Sequence, residues 1–328
     1  MVRFATIGTN FITDWFLEAV GHCGGMTYAA AYSRNEETAK AFAQKHGAER
    51  YCLNLEELAK AEDIDAVYIA SPNSLHCGQA ILMMEHGKHV LCEKAVASNS
   101  VELEQMLAVA RENRVVLLEA MRPVFDPGFA AIRDNLFKLG TIRRVSFQFA
   151  KYSSRYDKFK SGIVENAFNP AFSNGALMDI GVYCVHPLVK LFGQPQQIHA
   201  EAVMLPGGID GAGTILTQYP GMMADVMYSK ICDNRLPSQI QGESGTMLID
   251  EIPSPTQLTI HYHSGEQEHI PIEKEGINMI YEVREWRRLI EGNLSGEEHN
   301  RYSVMAMEVM DEARRQIGLV FPADSARR

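Results

Sequence analysis

The sequence predicts an α/β chain in two parts: a doubly wound parallel sheet over residues 1–121, then an α+β domain with a mostly antiparallel open sheet over residues 122–328. Three observations carry this expectation. A chain of 328 residues is long for one hydrophobic core. Its first 120 residues alternate apolar strand-like runs with segments of helix length, the pattern of βαβ units. Beyond Arg122-Pro123, strand-like runs follow one another across short turns, which is the antiparallel pattern.

Taken in order, "VRFATIG" (2–8) is an apolar strand running into a glycine, and Trp15, Phe16, Ala19 and Val20 give the next segment helical spacing. "MTYAAAYS" (26–33) is the second strand. Asn35 and Asn54 each cap a helix whose first turn is acidic, where the helix dipole favours negative charge. "IDAVYIAS" (64–71) is a strongly apolar strand stopped by Pro72, and a helix over 76–86 ends at Gly87. "KHVLCE" (88–93), a helix over 100–112 and "RVVLLEA" (114–120) complete the first part. In the second part a helix over about 127–138 ends at Gly140, "TIRRVSFQFAKY" (141–152) is a long strand, and a helix covers 176–192. Strands are predicted over 197–205, 213–219, 222–230, 236–242 and 245–250, with a tight hairpin at Tyr219-Pro220-Gly221-Met222. Helices over 278–291 and 302–317 close the chain.

The formal net charge of −10 opposes a nucleic-acid or anionic-membrane partner, and the expected partner is a small-molecule substrate. Six cysteines (23, 52, 77, 92, 184 and 232) are dispersed without a Cys-x-x-Cys pair, which predicts free, mostly buried thiols in a reducing cytoplasm. The opening "MVRFATIG" is already a strand, leaving no room for a signal peptide, and no apolar run is long enough to span a bilayer.

"TIGTNFIT" (6–13) lies between the first strand and first helix, where a dinucleotide-binding fold carries G-x-G-x-x-G/A. Gly8 is present and is followed by Thr9, Asn10, Phe11 and Ile12; Asn10 and Thr13 occupy the other two places. Asparagine is the next best residue for left-handed backbone, so Asn10 is expected to keep the turn. At the end of the second strand an acid would select NAD(H) through the ribose hydroxyls. Ser33-Arg34 stands there instead, a pair suited to a 2′-phosphate, so NADP(H) is the preferred cofactor and NAD(H) the alternative. "HVLCEKAVAS" (89–98) places Glu93 and Lys94 at the mouth of a buried strand, where ligands commonly sit, although such a pair taken alone also reads as solvated surface.

Asp179, Tyr183 and His186 are spaced by four and three, one face of a helix. A tyrosine with an ordinary value near 10 needs a neighbouring cation such as Lys94 to act as a base near neutrality. Asp179 is placed to orient a substrate hydroxyl or the lysine; His186 reads as a relay, a substrate contact or a satisfied core histidine. No third ligand accompanies Asp179 and His186, so no metal site is expected. "KYSSRYDKFK" (151–160) offers Arg155 and Tyr156 to a polar or anionic substrate, or is simply a solvated loop.

Together "SPNSLH" (71–76), "CEKAVASN" (92–99) and "NGALMDIGVYCVH" (174–186), in that order after a glycine turn, resemble the Gfo/Idh/MocA oxidoreductase family. Tyrosine at 183 is most similar to its NADP-dependent dihydrodiol and xylose dehydrogenase branch. The resemblance implies a Rossmann domain and a second domain whose open sheet joins subunits, hence a homodimer or higher homo-oligomer. It implies that Lys94 is the catalytic lysine of a Glu-Lys-Pro motif, and that Ser71, Pro72, Asn73, His76 and Glu93 belong with the cofactor. Ala95 departs from the motif's proline, which commonly follows a cis bond. The implied activity is hydride transfer between nicotinamide and a hydroxyl- or carbonyl-bearing carbon of a sugar, polyol or related cyclic compound. Tyr183, assisted by Lys94, then moves the hydroxyl proton. Two alternatives are a catalytically silent cofactor-binding regulator and an NAD-dependent glycoside hydrolase. Retention of Lys94, Asp179 and Tyr183 argues against the first, and Arg34 against the second.

Overall fold

Apolar runs closed by short polar turns build the first sheet. In the computed structural model, which describes residues 1–327, this sheet holds six strands among the described residues. They are β1 (Val2–Ile7), β2 (Met26–Tyr32), β3 (Arg50–Cys52), β4 (Ala66–Ile69), β5 (His89–Glu93) and β6 (Leu117–Ala120). All pair in parallel, in the order β3-β2-β1-β4-β5-β6. Strand order reverses between β1 and β4, so the ligand crevice of such a fold opens at the carboxyl ends of those two strands. The connecting helices are α1 (Phe11–Cys23), α2 (Glu36–His46), α3 (Leu55–Lys60), α4 (His76–Glu85) and α5 (Ser100–Asn113). Asparagine caps four of them: Asn10, Asn35, Asn54 and Asn99 each accept a backbone N–H of the first turn. Only β3 escapes the sequence pattern, because three half-exposed or exposed residues carry no periodicity.

The second sheet follows from longer, alternating strands. After α6 (Pro127–Asn135) come β7 (Ile142–Ala150), the short helix α7 (Tyr156–Lys160) and α8 (Val182–Phe192). The chain then runs through β8 (Gln197–Leu205), β9 (Ile209–Tyr219), β10 (Met222–Ser229), β11 (Ser238–Gly242) and β12 (Gly245–Ile249). β13 (Gln257–Tyr262) and β14 (Gln267–Pro271) extend the sheet beyond the predicted strands. Their turn carries Gly265 at φ 92°, a left-handed position that glycine fills without strain. The order is β14-β13-β12-β11-β7-β10-β9-β8, antiparallel throughout except where β7 meets β10. One face carries the core, with Val145, Phe147, Ile215, Val226 and Ile240 buried and α8 packed against β7 and β10. The other face leaves Leu216 and Met223 exposed.

Two long helices follow, α9 (Ile280–Glu291) and α10 (Glu297–Ile317), and a short 3-10 helix over Pro322–Arg327 comes after them. The chain divides into two units, residues 1–120 with 275–301, and residues 121–274 with 302–328. Segment 275–301, expected in the second domain, therefore belongs to the first unit. The physical reason is the apolar face of α9: Val283, Trp286 and Leu289 are buried, Trp286 lies 6.3 Å from Phe16 of α1, and Arg287 bonds the carbonyls of Cys23 and Gly24. All six cysteines are free; Cys77, Cys92 and Cys184 are buried, whereas Cys232 is exposed. No helix among the described residues is long and apolar enough to cross a membrane.

Candidate active site

β1 leaves its sheet through Gly8, at φ 115°, where an added Cβ would stand 2.7 Å from the Ala70 carbonyl oxygen. Only glycine fits there. Asn10 does not supply the expected left-handed residue: its φ is −94° and its backbone is extended. Its side chain holds the turn instead. Oδ1 accepts from the Ile12 N–H at 3.0 Å, and Nδ2 donates to the Ala70 carbonyl at 2.8 Å, tying the turn to the end of β4. Thr13 is fully buried, Ile12 half-buried and Phe11 exposed.

Gly8, Thr9 and Asn10 line a groove of about 260 Å³ together with Ser33, Arg34, Ser71 and Pro72. Its lining includes a guanidinium and no carboxylate. That electrostatic balance fits the 2′-phosphate of NADP(H), and the amino end of α1 offers N–H donors to a pyrophosphate.

Other expected cofactor residues sit deeper. Asn73 is 7% exposed and His76 is fully buried. The His76 ring lies between two carbonyls, with Nδ1 3.0 Å from Ala95 and Nε2 2.8 Å from Ser71, so it braces the loop after β4 against the loop after β5. Burial pushes its imidazole down to about 4, against hydrogen bonds that favour the charged form. The neutral ring donates to one of the two carbonyls. Glu93 is not the solvated partner of Lys94: it is 8% exposed, one carboxylate oxygen accepts from the Tyr68 hydroxyl at 2.6 Å, and the other from the Lys94 N–H at 3.3 Å. Tyr68 is fixed in turn by stacking on Phe16 at 3.8 Å. Lys94 is half-buried, and the Lys94–Ala95 peptide bond is cis.

In the second unit the predicted helix over 176–192 is interrupted. A π-helical turn, Leu177–Gly181, precedes α8 and carries Asp179, while Tyr183 and His186 lie in α8 itself. The extra residue of a π turn displaces Asp179 from the simple i, i+4 relation to Tyr183. A long-range contact fixes the start of this turn. Buried Asp210 accepts from the N–H groups of Ala176 at 3.0 Å and Leu177 at 2.7 Å, and Gly175, at φ 138°, leaves room where a Cβ would collide with that carboxylate. Burial pushes the Asp210 carboxyl up to about 6 although those N–H groups and Lys230 pull it down.

Two cations that sequence reasoning missed lie beside these residues. Lys230, just past β10 and 2% exposed, pairs with Asp179 Oδ2 at 2.8 Å and donates to the Ala167 carbonyl at 2.8 Å. Arg122 lies 5.5 Å from the centre of the Tyr183 ring, which is 9% exposed and edge-on to Phe149. The signal for Lys230 was one that it shares with Lys94, a lysine just past the carboxyl end of an apolar strand. His186 is buried, with Nε2 3.4 Å from the Ser303 hydroxyl. The 151–160 segment is a helix rather than a loop in its second half; Arg155 pairs with Glu165 at 3.2 Å and Tyr156 stacks on Phe168 at 5.7 Å. Among the described residues no three His, Cys, Asp or Glu side chains gather as metal ligands.

Residues 2–121 match the oxidoreductase family with an NAD-binding Rossmann fold, and residues 137–248 match the GFO/IDH/MocA C-terminal domain. The chain is 48% identical over 328 residues to scyllo-inositol 2-dehydrogenase (NADP(+)) of Bacillus subtilis, covering 99% of this chain and 100% of that one. It is 31% identical to trans-1,2-dihydrobenzene-1,2-diol dehydrogenase of Mus musculus, covering 98% and 99% of the two chains. In fold it is similar to a 3-ketoreductase from Actinomadura kijaniata solved with NADP and TDP-benzene, with a TM-score of 0.87 at 21% identity, covering 96% and 98%.

Proposed function

Because the chain belongs to the Gfo/Idh/MocA family of oxidoreductases, we propose that it is an NADP(H)-dependent dehydrogenase of a sugar or cyclic polyol. The reaction moves a hydride between nicotinamide and a hydroxyl- or carbonyl-bearing carbon. The observation that carries this reading is the full-length identity of 48% with an NADP(+)-dependent scyllo-inositol 2-dehydrogenase.

Bound NADP(H) supplies or accepts the hydride. The chain's own residues bind, orient and move a proton. Gly8, Thr9 and Asn10 receive the pyrophosphate at the start of α1, and Ser33 with Arg34 takes the 2′-phosphate. Ser71 and Pro72 border the same groove, while Asn73, His76 and Glu93 hold the loops that form it. In oxidation Tyr183 accepts the substrate hydroxyl proton at its phenolate oxygen; in reduction it returns that proton. As the family resemblance implies, Lys94 assists that proton transfer, and Asp179 accepts a hydrogen bond from a substrate hydroxyl.

The test is to follow reduced-nicotinamide absorbance with NADP⁺ or NAD⁺ and a panel of inositols, aldoses and trans-dihydrodiols, with Lys94→Met and Tyr183→Phe alongside. The expected result is turnover of a cyclic polyol with NADP⁺ that falls about 10²–10⁴-fold in either variant. Tight NADPH binding with no turnover across the panel sinks the dehydrogenase reading.

The same reading includes a homodimer formed through the open face of the second sheet. Val203, Leu216 and Met223 are exposed on β8, β9 and β10, and the Arg144–Asp225 ion pair crosses the same face. Six free thiols are the support for a reducing compartment such as the cytoplasm.

A further inference from the structure

We propose that Lys230 is a positioning residue that fixes the Asp179 carboxylate as the acceptor for a substrate hydroxyl. The proposal rests on the dehydrogenase reading above. The Lys230 side chain is 2% exposed and that of Asp179 is 30% exposed, although their charged atoms are 2.8 Å apart. A buried ammonium is costly unless paired and hydrogen-bonded. Here it is held from several directions: by Asp179, by the Ala167 carbonyl at 2.8 Å, and by the face of Phe168 at 4.9 Å. Its main chain is held as well. Its N–H donates to the Gly211 carbonyl at 2.9 Å, and its carbonyl accepts from the Ser153 N–H at 2.9 Å.

The pair is therefore asymmetric, with an immobile buried cation and a carboxylate reaching toward solvent. An ion pair that served only the core would bury both partners. Phe168 also stacks on Tyr156 and Phe159, so Lys230 links Asp179 to the aromatic 151–168 segment. Lys230 also acts by charge on the buried carboxyl of Asp210 in β9. An anchored carboxylate of this kind selects a substrate rich in hydroxyl donors.

The experiment compares Lys230→Met, Lys230→Gln, Asp179→Asn and the Lys230→Met/Asp179→Asn double variant, using NADP⁺ and whichever polyol the unaltered enzyme oxidises. Lys230→Met is expected to lower kcat/KM about 10–100-fold with NADPH affinity unchanged, and Lys230→Gln to fall between it and the unaltered chain. The double variant should be no worse than Asp179→Asn, since Lys230 acts through that carboxylate. Losses that multiply in the double variant, or unaltered kcat/KM in both Lys230 variants, overturn the proposal alone. If Lys230→Met does not fold, Lys230→Gln carries the same comparison. An unaltered enzyme that oxidises no polyol overturns the dehydrogenase reading and the proposal with it.

Discussion

Gly8 and Asn10 show how one turn can lose a glycine and keep its geometry. Gly8→Ala puts a Cβ 2.7 Å from the Ala70 oxygen at a φ of 115°, so the turn must shift. NADPH affinity is expected to fall at least tenfold, read by fluorescence titration. Asn10→Ala removes a helix cap and the bond to Ala70, which together stabilise the fold by about 1–2 kcal/mol. Urea unfolding of the variant at neutral pH measures that loss. Arg34 is an exposed charge lining the groove. Arg34→Ala should weaken NADP⁺ binding about 10–100-fold and leave NAD⁺ binding unchanged, and equal losses for both cofactors would dismiss its assignment to the 2′-phosphate.

At the scale of elements, strand ends supply the chemistry and loops must be held for it. His76 sits between the loops after β4 and β5, and its ring, ordinarily at 6.5, is pushed down to about 4 by burial. Between those values the unfolded ring binds a proton that the native ring refuses. Its contribution to stability is complete above pH 6.5 and is lost as pH falls toward 4, by about 3 kcal/mol in total. Urea midpoints measured from pH 7.5 down to 4.5 should show this loss, and His76→Gln should flatten that part of the curve. Asp210 works in the opposite sense. Its raised value of about 6 means that the native carboxyl keeps its proton where the unfolded one, at 3.8, has lost it; stability falls as pH rises through that window. The helix over 176–192 was legible as a helix, but its π turn was not. The turn depends on Asp210, more than thirty residues further along the chain, whose carboxylate holds the N–H groups of Ala176 and Leu177.

At the scale of the whole molecule, an open sheet face with exposed Leu216 and Met223 accounts for the expected self-association. Leu216→Glu with Met223→Glu should shift sedimentation from dimer to monomer while each chain still binds NADPH, because neither residue lies in the cofactor groove. A monomeric unaltered protein removes that proposal.

The order of βαβ units, the caps at Asn35 and Asn54, the glycine at the end of β1 and the lysine after β5 were legible in the sequence, whereas the caps at Asn10 and Asn99 were not. Each legible feature depends on residues within a few positions of one another, where spacing and intrinsic backbone preference decide the outcome. Tertiary structure alone decided the rest. It brought Lys230 to Asp179 and Arg122 to Tyr183, turned Glu93 inward onto Tyr68, made His76 a brace between loops, and returned α9 to the first unit. Four of those five pairings join residues 25 or more positions apart, and the His76 brace reaches across 19 positions to Ala95. Such contacts are chosen by burial, which makes an unpaired charge costly and an exposed apolar face unfavourable, and no local pattern records that choice.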